Sequence, residues 1–114
     1  MKVLLLGGNG HLGPHVVNEL QGDYELRVTD IVPIDSEHET MQVDISDLDQ
    51  VRRAAAGTDA IVNCSVLRPD RKIAFDVNTT GVLNLLEAAR QVGAKHFVFF
   101  SSLTVHGPVT EAVT

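Results

Sequence analysis

The sequence predicts an α/β protein whose doubly wound parallel sheet has about five strands in the order 3-2-1-4-5. Short apolar runs alternate along the chain with segments in which apolar residues recur at helical spacing. A glycine-rich turn joins the first apolar run to the first helical segment. Such alternation implies right-handed crossovers and helices on both faces of the sheet. We expect a single domain over 1–114 that is truncated after its fifth strand, with an irregular tail at 103–114.

Five segments have strand character. The run 3–6 is wholly apolar, as in a strand covered on both faces, and 25–30 alternates between apolar and polar residues. The segment 31–40 is polar and contains a proline, which predicts a loop. The predicted strands are 3–6, 25–30, 41–43, 59–64 and 96–101.

Three segments have helical character. Ser46 and Asp49 resemble a capping pair at the start of the second helix, and Gly57 is placed for its C′ position. The third helix is built on apolar residues that include Ile73 and Leu86. The predicted helices are 12–20, 46–56 and 72–92.

Composition places the chain among ordinary globular proteins. Of 114 residues, 44% are hydrophobic and 21% charged, which excludes a disordered chain. The net charge of −6 argues against a nucleic-acid binder, which would present a basic face. The apolar start is too short for a signal sequence or a membrane span, so we expect a cytoplasmic protein without membrane contact. One cysteine cannot form an intrachain disulfide, which favours a reducing compartment.

The strongest functional signal is the glycine-rich turn Gly-Gly-Asn-Gly-His-Leu-Gly at 7–13. It follows a predicted strand and opens a predicted helix, the context of a Rossmann-type dinucleotide site. Gly7 permits the tight turn, Gly10 lets the main chain approach a pyrophosphate, and Gly13 lets the helix pack close to the strand. His11 and Leu12 complete the loop, where helix N-terminal amides favour an anion. The alternative is a purely structural turn.

Asp30 ends the second predicted strand, 17 residues beyond Gly13. A carboxylate there accepts hydrogen bonds from the ribose hydroxyls of an adenosine and repels a 2′-phosphate. No arginine occurs at 31–34 to neutralise such a phosphate. The sequence therefore predicts NAD rather than NADP, unless Asp30 is only a solvated residue at a strand end.

The spacing Gly-x-x-Gly-x-x-Gly resembles the extended short-chain dehydrogenase/reductase family, which includes NAD-dependent sugar-nucleotide epimerases and dehydratases. Further segments agree with that family in order along the chain. They are Asp44-Ile45, Asn63-Cys64-Ser65, the Asn-x-x-Gly of 78–81, and the Ser-Ser-x-x-Val-His-Gly of 101–107.

The resemblance implies roles for individual residues. Asp44, followed by Ile45, would accept a hydrogen bond from the adenine amino group. The main chain at Asn63, Cys64 and Ser65 would run alongside the cofactor. Two further positions have structural alternatives: Asn78 is cofactor-adjacent or a helix-surface asparagine, and Ser102 hydrogen-bonds the reacting substrate oxygen or caps a strand end.

The sequence also departs from the family. Its Tyr-x-x-x-Lys pair, the acid/base machinery for a hydroxyl proton, is absent: the only tyrosine is Tyr24 and no lysine follows Lys95. His106 replaces the family's tyrosine in the 101–107 segment. Two hypotheses follow. The chain is the cofactor-binding portion of an NAD-dependent epimerase, dehydratase or dehydrogenase, inactive at this length and acting on a nucleotide sugar when more chain is supplied. The alternative is a non-enzymatic NAD-binding sensor or scaffold.

Other candidate features give weaker evidence of function. His11 and His15 share helical spacing, but no further ligand completes a metal set, so no metal site is predicted. Cys64 is expected to be an inert core thiol. The basic cluster in 68–72 is a solvated loop or a contact for a substrate phosphate. The aromatic edge strand predicted at 96–100 favours pairing with a second copy, hence a homo-oligomer.

Overall fold

The computed structural model describes residues 1–65 and 71–100. The strands are β1 (Lys2–Leu6), β2 (Glu25–Asp30), β3 (Glu39–Gln42), β4 (Ala60–Asn63) and β5 (His96–Phe99). The helices are α1 (Gly13–Leu20), α2 (Leu48–Ala55), α3 (Arg71–Phe75) and α4 (Gly81–Val92), and a π-helical turn, Asp76–Thr80, joins the last two.

All neighbouring strands of the sheet are parallel, in the order β3-β2-β1-β4-β5, which confirms the predicted topology. The register aligns the carboxyl ends of the three central strands. Leu6 at the end of β1 lies opposite Thr29 on β2 and Asn63 on β4. Residues that follow these positions therefore meet at one edge of the sheet, where doubly wound proteins bind ligands.

The core lies on both faces of the sheet. Leu4 and Leu6 pack into a cluster with α2 and α4, whereas Val3 and Leu5 pack on the other face against α1. Each of these four β1 residues is at most 3% exposed. The unbroken apolar run of β1 thus reflects burial on both faces.

The start of α2 differs from the prediction. Asp47, not Ser46, caps the helix: its Oδ1 accepts hydrogen bonds from the backbone N–H groups of Asp49 and Gln50 at 3.0 and 3.2 Å. The Gln50 side chain donates to Asp47 Oδ2 at 3.2 Å. The capping pair predicted at Ser46 and Asp49 is therefore wrong by one residue, because Asp47 and Gln50 also have the capping spacing. Gly57 does follow the helix with a positive φ of 76°.

The long helix predicted at 72–92 is interrupted by the π-helical turn. A π turn rotates the following helix relative to the preceding one, so one apolar stripe does not continue across it. Ile73 and Leu86 are each 48% exposed, although the apolar pattern of the sequence predicts that both face inward. Leu85 in α4, which belongs to the same predicted apolar pattern, is fully buried as expected.

An ion-pair network joins the amino-terminal ends of β1, β2 and β3. Glu39 lies 2.6 Å from Lys2 Nζ and 3.1 Å from Arg27 Nε. Arg27 also donates to the carbonyl oxygens of Ala54 and Ala56 at the end of α2. These contacts explain why β3 begins at Glu39, two residues earlier than the sequence pattern predicts.

The network gives Glu39 a direct effect on stability. Hydrogen bonds from Lys2 and Arg27 hold the pKa of Glu39 below its ordinary value of 4.5. A carboxyl group with a lowered pKa stabilises the folded state above its ordinary value, and that contribution is lost as the pH falls through the folded-state value. We therefore expect Glu39→Gln to lower the free energy of unfolding modestly at neutral pH, as surface ion pairs do. The difference in the free energy of unfolding between Glu39→Gln and the parent should disappear in acid.

Urea denaturation across this pH range checks the prediction. Glu37→Gln is the matched control, because Glu37 makes no ion pair among the described residues. A deficit for Glu39→Gln that persists unchanged in acid would contradict the account.

Candidate functional site

A cleft of about 900 Å³ opens at the carboxyl edge of the sheet. The structure brings the cofactor-site residues predicted from the sequence together around it, with the exception of Gly13, which is buried beneath the loop. Those that line the cleft are Gly7, Gly10, His11, Leu12, Asp30, Asp44, Ile45, Asn63, Cys64, Ser65 and Asn78.

The glycine loop lies directly against the end of β4. Gly7 has a φ of 79°, which costs a non-glycine residue about 1–2 kcal/mol. A Cβ at Gly7 would also lie 2.7 Å from the backbone of Cys64 and Ser65. Both constraints require glycine, so the loop closes onto the sheet only with this residue.

The other two glycines of the motif differ in their surroundings. A Cβ at Gly13 would lie 2.3 Å from the carbonyl oxygen of Gly7, so this glycine lets α1 approach the loop. The Gly10 N–H donates to the same oxygen at 3.1 Å. A Cβ at Gly10, however, would meet only that oxygen, at 3.4 Å. The packing around Gly10 therefore permits a side chain, and the space that such a side chain would enter is part of the cleft.

Three backbone N–H groups at the start of α1 are left without partners. Among the described residues, those of His11, Leu12 and Gly13 have no hydrogen-bond acceptor, and the Leu12 N-cap position has no side-chain capping bond. Pro14 has no N–H to satisfy. Unpaired amides at a helix N-terminus carry partial positive charge and bind anions.

Asp30 ties the loop to the end of β2. Its Oδ2 accepts from the backbone N–H of Asn9 at 2.9 Å, and its Oδ1 accepts from that of Ile31 at 2.7 Å. The Gly8 N–H donates to the Thr29 carbonyl oxygen at 2.9 Å. Asp30 is thus a structural clamp for the loop as well as a residue of the cleft, which its place at a strand end did not reveal.

Asp44 is held by the residues that follow it. Its Oδ1 accepts from the backbone N–H and hydroxyl of Ser46 at 3.0 and 2.7 Å, and its own N–H donates to Gln50 Oε1 at 2.8 Å. Oδ2 has no partner within the part of the chain that the structure describes. One carboxylate oxygen therefore remains able to accept a bond from a ligand.

Ile45 explains the glycine of the Asn-x-x-Gly segment. A Cβ at Gly81 would lie 2.5 Å from Ile45 Cγ1, so α4 packs onto the loop after β3 only with glycine there. The Ile45 carbonyl oxygen accepts from Asn84 Nδ2 at 2.9 Å. Asn78, in the π-helical turn before Gly81, reaches the wall of the cleft.

Asn63 leaves a hydrogen-bond donor unused. It is 2% exposed, and its Oδ1 accepts from the backbone N–H and hydroxyl of Ser65. The Ser65 N–H fixes which side of the amide is oxygen, so the nitrogen lies on the other side. Within residues 1–65 and 71–100, that buried Nδ2 has no acceptor, which is costly unless a ligand oxygen or water provides one.

Cys64 has no activating environment. It is 9% exposed, and burial raises the pKa of its thiol to about 11. The thiol therefore stays protonated at neutral pH, in keeping with an inert core cysteine.

The cleft also has apolar walls that sequence reasoning missed. Some of the wall residues are exposed and lie just after strand ends. That position in the sequence could have predicted their place in the cleft. These wall residues are Ile31, Val32, Val43, Val77, Phe99 and Phe100.

Other predicted features lie outside the described residues. These are Ser102, His106, the tail 103–114 and most of the basic cluster in 68–72. Within 1–65 and 71–100, no group of three or more potential metal-ligating side chains is found. Over the same residues, no helix has the length and apolar character needed to cross a bilayer.

Known proteins resemble this chain over most of its length. Residues 3–114 match the model of the NAD dependent epimerase/dehydratase family. A uronate dehydrogenase from Pseudomonas syringae pv. tomato is 40% identical over 93% of this chain and 41% of that protein. A UDP-glucose 4-epimerase from Lactobacillus helveticus is 32% identical over 97% of this chain and 40% of that protein. The chain thus spans about two-fifths of the length of these relatives.

Solved structures share the fold. A short-chain dehydrogenase/reductase superfamily protein from Agrobacterium tumefaciens with bound NAD superposes with a TM-score of 0.87 at 28% identity, covering 94% of this chain and 34% of that one. A mutant uronate dehydrogenase from the same organism, complexed with NAD, gives 0.80 at 35% identity, covering 89% and 40%. Together with the glycine loop and its cleft, these matches place the chain in the NAD-dependent epimerase/dehydratase family.

Proposed function

We propose that the cleft binds NAD and that the chain is the dinucleotide-binding portion of an NAD-dependent dehydrogenase or epimerase. One observation carries the proposal: the unpaired amides of His11, Leu12 and Gly13 lie at a glycine cradle on the carboxyl edge of a parallel sheet. Amides in that position suit a diphosphate. NAD-bound structures among the family's solved members support the same ligand.

The residues of the cleft divide between the two halves of the dinucleotide. Asp30, on β2, would accept from the adenosine ribose hydroxyls, and the free Asp44 oxygen would accept from the adenine amino group. The unpartnered Asn63 amide lies on the β4 side, toward the other half. Bound NAD supplies a hydride acceptor for oxidation of a carbinol carbon. The chain's own residues bind and orient it, and Phe99 and Phe100 form part of the apolar wall of the cleft.

Binding of NAD is tested with a variant that blocks the cradle without disturbing the fold. We expect Gly10→Val to weaken NAD binding about 100-fold or more, because its side chain occupies the space where a diphosphate must approach the main chain. Circular dichroism should be unchanged, since the substituted Cβ meets only Gly7 O at 3.4 Å. Calorimetric titration with NAD measures the affinity.

Gly22→Val is the matched control, because nothing lies within 4 Å of a Cβ built there and Gly22 does not line the cleft. Equal NAD affinity for Gly10→Val and the parent would exclude this site.

We further propose that NAD is preferred over NADP. The described residues that line the cleft include Asp30 and Asp44 but no lysine or arginine, so no permanently charged cation there offsets a 2′-phosphate. We expect NADP to bind the parent at least about tenfold more weakly than NAD in parallel titrations. Equal affinities would overturn the assignment of Asp30 to the ribose.

We propose a hydroxyl-bearing sugar as the substrate, and we favour a sugar acid over a nucleotide sugar. Support comes from the uronate dehydrogenase at 40% identity, against 32% for the UDP-glucose 4-epimerase. Ser102 would position the reacting oxygen. The 114-residue sequence has no Tyr-x-x-x-Lys pair, so we expect it to bind NAD without forming NADH when a uronate is added. NADH formation by this chain, followed by absorbance, would show that another residue moves the proton.

A further inference from the structure

The proposed diphosphate site lies among side chains of negative charge. Among the described residues, the cleft is lined by the carboxylates of Asp30 and Asp44 and by no lysine or arginine. Of the described side chains that line the cleft, His11 is the one that can become positively charged. A diphosphate in this cleft therefore has backbone amides and one histidine to offset its charge.

His11 is part of the same backbone unit as those amides. It lies between Gly10 and Leu12, its own N–H is one of the three without an acceptor, and its residue is exposed. His11 also lines the same cleft as the groups that we assign to the diphosphate. A charge in a partly solvated cleft changes the binding of an anion by a measurable factor.

We infer that the protonated imidazole of His11 supplies counter-charge to the NAD diphosphate, so that NAD binds more tightly in mild acid than in mild base. This inference rests on the proposed function, because it requires the diphosphate to lie at the glycine loop. It assigns the side chain a binding role, in addition to the backbone roles of the loop.

The other titratable groups of the cleft do not provide the same dependence. Histidine is the side chain whose charge ordinarily changes between about pH 5 and 8. Asp30 is the last residue of β2 and Asp44 follows β3, and the carboxylates of both oppose an anion. Cys64, after β4, stays neutral across this range because burial raises its pKa to about 11.

Two more histidines near α1 lie outside the cleft. His15 is exposed, one turn beyond His11, and does not line it. His38 lies in the loop before β3, with its Nε2 3.2 Å from Gln21 Oε1, and lines a separate cavity. His15 therefore offers a matched control, a second exposed histidine close in the chain that does not line the cleft.

Titration calorimetry of the full chain between about pH 6 and 8 tests the inference. We expect the NAD affinity of the parent to fall about fivefold as the pH rises across this range. The variant His11→Gln should lack that dependence. His15→Gln should retain it. ADP-ribose should behave as NAD does, because it keeps the diphosphate, whereas adenosine should bind with no His11-dependent change.

His11→Lys supplies a second variant whose charge does not titrate in this range. We expect this variant to bind NAD in mild base as tightly as the parent does in mild acid. Added salt should weaken the NAD affinity that the lysine contributes. The inference is overturned if His11→Gln keeps the parent's pH dependence, or if adenosine shows the same dependence as NAD. Failure of the parent to bind NAD at any pH would instead overturn the proposed function.

Discussion

The structure depends on a backbone approach that only glycine allows. Gly7 lies so close to the main chain of Cys64 and Ser65 that a Cβ would be 2.7 Å away, and a Cβ at Gly13 would lie only 2.3 Å from the Gly7 carbonyl oxygen. These two contacts bring the start of α1 to the edge of the sheet. Because the start of the helix is uncapped, the approach leaves three unpaired amides beside the cleft. Fold and binding site therefore share one packing constraint.

The register of the sheet extends this constraint to neighbouring strands. Leu6 pairs with Thr29 and with Asn63, so the residues after three different strands surround the same space. Asp30 at this edge has two roles, one toward the glycine loop and one toward the ligand. It accepts one main-chain hydrogen bond on each carboxylate oxygen, and a carboxylate has about four acceptor sites. Capacity remains for ribose hydroxyls while the loop is held in place.

Sequence reasoning predicted the strand order and the residues that surround the cleft, because glycine spacing and strand periodicity are local signals. It did not predict the π-helical turn or the Asp47 cap, where neighbouring residues offered competing patterns and tertiary packing decided between them. The role of Asn9 depends on Asp30, which is 21 residues away, and no local pattern encodes it. Self-association through 96–100 stays a prediction: Val98, Phe99 and Phe100 are exposed. The single-domain organisation, the cytoplasmic location and the role of Ser102 also stay predictions.

The central claim is that free amides at the glycine loop hold the diphosphate, and amide NMR during an NAD titration tests it most directly. The account predicts large downfield shifts and slowed solvent exchange for His11, Leu12 and Gly13, whose N–H groups have no acceptor in the described protein. Gly22 and Gly57 provide an internal reference, because neither lines the cleft and their resonances should move little. NAD binding that leaves the first three resonances in place would contradict the account.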